Sequence, residues 1–77
     1  MKIKVVLHSI YREKLPPEAK GQATIELPAG STVGDALAHL GIPTEALCAI
    51  NDQVERDRGR PLHEGDRMEL FVRMGGG

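Results

Sequence analysis

The chain has one cysteine, Cys48, no tryptophan, and only Tyr11 and Phe71 as aromatic residues among its 77 positions. One cysteine excludes an intramolecular disulfide, so a domain near the lower size limit must hold together by packing alone. That lack of bridges points to a reducing, cytoplasmic setting. It also excludes a cluster-binding ferredoxin, which needs four cysteine ligands. His8, His39 and His63 have no ligand spacing with one another or with Cys48, so no metal is expected. No apolar run approaches the ~20 residues of a membrane span. The opening Met1-Lys2-Ile3-Lys4 leads into an alternating segment instead of a signal peptide. A strong excess of either charge is missing too: the net charge is −1. Without a basic face or a stacking platform, nucleic acid is a poor partner, and another protein suits this surface better.

What is present reads as a small α+β domain. Apolar residues make up 40% of the chain, enough for one compact core. Ile3, Val5 and Leu7 alternate with Lys2, Lys4 and Val6, predicting a strand over residues 2–8. Residues 9–21, with Pro16, Pro17 and Gly21, read as a loop with a turn of helix near Tyr11-Arg12-Glu13. Ala23, Ile25 and Leu27 alternate again and give a second strand, antiparallel to the first, that stops at Pro28-Ala29-Gly30.

A helix follows. Thr32 is placed to cap it, with Asp35 three residues on as the second half of a capping box. Val33, Ala36, Leu37 and Leu40 form one apolar stripe, Gly41 suits a left-handed end, and Pro43 forbids continuation. His39 near the helix end suits the dipole there. Leu47-Cys48-Ala49-Ile50 is a short apolar run ended by an Asn51-Asp52 turn, and Gln53-Val54-Glu55 is a very short strand. Residues 56–61 are charged and expected to be a solvated loop. Leu62 anchors a turn through Gly65-Asp66, after which Met68, Leu70 and Val72 alternate with Arg67, Glu69, Phe71 and Arg73 as the last strand. First and last strands can lie parallel, joined by a right-handed crossover through the helix. The expectation is a β-grasp: a mixed sheet of four to five strands with one main helix on one face, over residues 1–73. Residues 74–77 are expected to be a flexible glycine tail.

That tail, Met74-Gly75-Gly76-Gly77, has no packing value. A run without side chains is thin enough to enter a narrow slot and offer a carboxylate to another protein's chemistry. Leu27-Pro28-Ala29-Gly30-Ser31-Thr32-Val33, Ala49-Ile50-Asn51, Leu62-x-x-Gly65-Asp66 and the final Gly76-Gly77 stand in an order and spacing that resembles the MoaD/ThiS ubiquitin-like sulfur carriers. The long 9–21 loop looks more like the small subunit of molybdopterin synthase, although Val72-Arg73 stand where that subunit carries prolines.

The resemblance implies a carrier, not an enzyme. An E1-like partner would adenylate Gly77 from ATP, sulfur from a persulfide or sulfide would displace AMP, and the thiocarboxylate would donate sulfur in cofactor biosynthesis, molybdopterin first among the candidates. No cofactor is expected on the carrier itself. The implied partners are the adenylating enzyme, a sulfur donor, and an acceptor such as the molybdopterin synthase large subunit. The reactive group would be Gly77, with Gly76, Gly75, Met74 and Arg73 entering the partner. Alternation places Val6, His8, Phe71 and Arg73 on the solvent side, and an exposed phenylalanine beside a reactive terminus is a natural anchor. Val54 joins Phe71 and His8 by resemblance to the family's apolar contact there. Cys48, in an apolar run, reads as structural. Two other readings stay open: a ubiquitin-like modifier joined through Gly77 to lysines, and a plain β-grasp binding module.

Overall fold

The computed structural model of the protein describes residues 1–73. Its elements are β1 (Lys2–Leu7), β2 (Gln22–Glu26), α1 (Val33–Leu40), β3 (Leu47–Ile50), β4 (Gln53–Val54) and β5 (Arg67–Phe71), with 3-10 helical turns at Ser9–Lys14 and Pro17–Ala19. The five strands form one mixed sheet in the order β2-β1-β5-β3-β4. β1 runs antiparallel to β2 and parallel to β5, with Val5 opposite Met68 and Leu7 opposite Leu70. This is the β-grasp arrangement expected from the strand and helix pattern.

Period-two alternation decides which side chains meet the helix. Ile3, Val5 and Leu7 of β1, Met68 and Leu70 of β5, and Cys48 and Ile50 of β3 are all buried. They pack with Val33, Ala36 and Leu37 of α1 in a single core, which Leu27, Ile42, Ala46 and Leu62 help to close. The helix begins on the expected capping box: Asp35 N–H donates to Thr32 Oγ1 at 3.2 Å, and Thr32 N–H donates to Asp35 Oδ2 at 2.9 Å. It ends at Gly41, whose φ of 70° is the left-handed conformation that glycine takes without strain.

Four expectations need correction. Residues 9–21 are not merely a loop with one helical turn: two 3-10 turns fold there, and the first tucks Tyr11 into the core. The second strand stops one residue early, at Glu26, yet Leu27 still reaches the core because Met1 O accepts its N–H at 2.9 Å. The last strand likewise ends at Phe71, with Val72 packing against the core from beyond it.

The largest departure is the 56–61 segment, expected as a solvated loop. Arg58 and Arg60 are half-buried. Their main-chain carbonyls accept the N–H groups of Gly34 (2.8 Å) and Val33 (2.9 Å), helix-start donors with no partner inside the helix. The Arg58 guanidinium donates to the carbonyls of Thr44, Glu55 and Ala46. Charge in this loop is therefore spent on joining the helix start to the connection that leads into β3.

Candidate docking face and tail root

The helix covers one face of the sheet, and the other face carries the residues singled out for contact. Two rows cross it. Val6 stands beside Glu69, Glu69 beside Ala49, and Ala49 beside Val54. One step further along, His8 lies against Phe71, and Phe71 pairs with Leu47. Arg73 follows directly, at the root of the tail.

Exposure divides these residues. Val54 is 59% exposed and Leu47 40%, whereas Val6 and Ala49, also on this face, are nearly covered by their neighbours. Phe71 is half-buried because the His8 ring stacks on it, with centroids 4.3 Å apart and planes 3° from parallel. His8 Nε2 donates to Glu69 Oε2 at 3.0 Å, and Arg67 Nη1 donates to Glu69 Oε1 at 2.9 Å. The bond from His8, more than the nearby Arg67 charge, holds the Glu69 carboxyl below its usual range, against a smaller opposing effect of burial. Glu69 is thus an ionised, satisfied carboxylate within an otherwise apolar row.

The register also depends on Asp66. Burial alone would raise its carboxyl, but the His63 N–H at 2.8 Å, Asn51 Nδ2 at 3.0 Å and the charge of Arg60 together bring it below the ordinary value. Asn51 also accepts from Arg67 N–H at 2.9 Å, so the turn after β3 and the start of β5 are locked in step. That lock sets which side chains of β5 face outward.

At the tail root, Ser9, Leu47, Phe71, Val72 and Arg73 line an open hollow of about 470 Å³ with a mainly apolar wall. Ser9, which opens the 3-10 turn after β1, adopts a φ of 54°, unusual for a residue with a Cβ. Ile10, 64% exposed, stands next in the chain.

The structure therefore brings His8, Phe71 and Arg73 to one end of the open face, with Val54 at its far edge on β4. The other expected site residues, Met74, Gly75, Gly76 and Gly77, lie outside the described residues. Leu47, Ala49, Glu69 and Ile10 were not among the expected site residues. The first two belong to an unbroken apolar run, in which alternation has no polar partner to reveal it. Ile10 sits in a non-periodic segment. Glu69 was visible as an outward residue but gave no sign of its two partners. Among the described residues no cluster of three or more His, Cys, Asp or Glu could hold a metal, and no helix is long and apolar enough to cross a membrane.

Comparison with known proteins places this geometry. The structure is similar to SAMP1 from Haloferax volcanii, at TM-score 0.74 and 19% identity over 100% of both chains. It is also similar to a putative molybdopterin converting factor subunit 1 from Pyrococcus furiosus, at TM-score 0.76 and 19% identity over 94% of this chain and 97% of that one. In a complex of subunits 1 and 2 of the molybdopterin-converting factor from Helicobacter pylori, the matching chain gives TM-score 0.65 and 20% identity over 100% of both chains. At these identities the likeness is one of fold. No curated protein sequence matches the chain. The ThiS family profile matches residues 10–77, nearly the whole length, and the chain belongs to the ThiS family of small ubiquitin-like carrier proteins.

Proposed function

We propose that this protein carries sulfur as a thiocarboxylate on Gly77. The observation that carries the reading is continuity: the apolar patch of Phe71, Leu47 and His8 adjoins Arg73, from which the glycine tail departs. A partner seated on that patch holds the tail at a fixed distance from its own active site, turning a bimolecular encounter into a positioned reaction.

The chemistry needs an activated carboxyl, because a free carboxylate is a poor electrophile. A Gly77 carboxylate oxygen attacks the α-phosphorus of ATP in an E1-like enzyme, and pyrophosphate leaves. Hydrosulfide then attacks the acyl carbon, AMP leaves with the C–O electron pair, and loss of a proton gives the thiocarboxylate. With a persulfide donor, a thiol must afterwards cleave the acyl disulfide. The carrier contributes the carboxyl group and the docking face, while ATP and the acid–base groups belong to the enzyme. An acceptor of the molybdopterin synthase large-subunit type then takes the sulfur. In support, the Helicobacter pylori neighbour is in a complex of subunits 1 and 2.

The test is the intact mass of the protein before and after incubation with ATP, sulfide and its adenylating enzyme. One oxygen should be exchanged for one sulfur. Deletion of Gly77, or Gly76→Val, should abolish the exchange while leaving thermal unfolding unchanged. Exchange that persists without Gly77 overturns the reading. Adducts on lysines without sulfur gain would instead favour a modifier, which uses the same first step.

A further inference from the structure

Beside the tail root, sharing Leu47 and Arg73 with the apolar hollow, a cleft of about 400 Å³ is lined by β3, the connection before it and the segment that follows β4. Its wall includes Arg56, Arg58, Arg73, Glu45, Glu55 and the backbone around Cys48. We propose that this cleft receives an acidic segment of the adenylating enzyme and so orients the tail as it enters that enzyme's active site. The inference rests on the carrier reading above.

The charges do not cancel locally. Glu55 is already paired, its Oε1 3.2 Å from Arg60 Nε, which leaves Glu45 as the one uncommitted carboxylate in the wall. Arg58 is held by three backbone carbonyls, none of which neutralises its charge. Neither Arg56 nor Arg73 enters any of the ion pairs found among the described residues. Both are exposed. The cleft is thus a positive pocket on a chain whose net charge is −1. At the inner wall burial raises the Cys48 thiol, with the Arg58 charge lowering it and the Glu55 charge raising it by smaller amounts.

Position makes the partner specific. Arg73 lines both the apolar hollow and the cationic cleft, so a body resting on the Phe71 patch meets the cleft at its rim. Guanidinium groups in such a site favour carboxylates, which they engage through paired N–H donors. Complementary charge at an interface rim acts mainly on association rate and register, fitting a step in which a slender tail must be threaded.

The discriminating variant is Arg56→Glu, since Arg56 is exposed and makes no hydrogen bond within the described residues that its loss would break. Binding to the adenylating enzyme is followed by stopped-flow at low and at high salt. Arg56→Glu should slow association about tenfold at low salt and flatten its salt dependence, with Arg56→Gln in between. Lys20→Glu makes the same charge change at the opposite, β2, edge of the sheet and should leave the rate unchanged. An unaltered rate for Arg56→Glu, alongside weakened binding by Phe71→Ala, overturns the cleft proposal and leaves the carrier reading standing. Equal losses for Arg56→Glu and Lys20→Glu overturn it in favour of a net-charge effect. Inorganic phosphate that binds the cleft yet leaves association with the enzyme unchanged, at constant ionic strength, overturns it in favour of a small-anion site. Failure of the wild-type chain both to bind the enzyme and to gain sulfur removes the carrier reading itself, and the cleft proposal with it.

Discussion

His8 lies flat against Phe71, rings 4.3 Å apart and 3° from parallel, although 62 positions of sequence separate the two. The parallel β1–β5 pairing brings them together and fixes the phenyl ring as a flat plate beside the tail root. On the carrier reading, Phe71→Ala should weaken the complex with the adenylating enzyme about tenfold or more, the range of an aromatic interface anchor. Its unfolding temperature should fall only slightly, because the ring is half-buried and outside the core. Calorimetric titration alongside thermal unfolding checks both. A large loss of stability with unchanged affinity would make Phe71 a packing residue instead.

Glu69 and Asp66 both have carboxyls held below their ordinary range in the folded chain. A group with a depressed folded value stabilises the fold above its unfolded value, about 4, and loses that contribution as the pH falls through the folded value. The unfolding temperature should therefore be flat down to about pH 5 and drop in more acid solution. Asp66→Asn should cost about 1 to 3 kcal/mol at neutral pH, because it disturbs hydrogen bonds from His63 and Asn51 and removes the charge facing Arg60 at 3.7 Å in a covered site. It should also make the acid limb shallower. A limb as steep as in the wild type would assign the acid sensitivity to other groups.

Much of this fold was legible because its signals are local. Thr32, Asp35 and Gly41 announce the helix ends through chemistry confined to one turn, and the inward set Ile3, Val5, Leu7, Met68 and Leu70 follows from alternation alone. The exposed end of the open face was legible for the same reason: once Met68 and Leu70 face in, Phe71 faces out. What the sequence hid is long-range. Tyr11 enters the core from a segment with no period, and Leu47 shows its outward direction only when its pairing with Phe71 is known. Arg58 looked like solvated charge because its partners are backbone carbonyls, which carry no sequence signature.

That misread arginine supplies a sharp test. Arg58 fastens the connection before β3 to the loop whose carbonyls receive Val33 and Gly34 of the helix. Arg58→Lys keeps the charge but loses the planar fork that reaches several acceptors at once. It should destabilise the protein by about 1 to 3 kcal/mol. Faster amide exchange should appear at Val33 and Gly34 first, since their acceptors sit in the loosened loop. Wild-type protection at those two amides in the variant would show that the loop holds its position without the guanidinium.

Cys48 is fully buried on the core side of β3, and burial raises its thiol above the ordinary value despite the opposing charges of Arg58 and Arg60. The nucleophile in thiol chemistry is the thiolate, so both access and ionisation protect this residue. A disulfide reagent near pH 8 should therefore react with Cys48 only at the rate of global opening measured by hydrogen exchange, and rapidly once the chain is unfolded. This bears on the mass test of the carrier reading. A persulfide on Cys48 would add a whole sulfur atom, whereas thiocarboxylate formation exchanges oxygen for sulfur. Cys48→Ala should consequently gain sulfur at Gly77 as the wild type does. Loss of the exchange in a folded Cys48→Ala protein would place the thiol on the sulfur's route and require an opening of β3 during transfer.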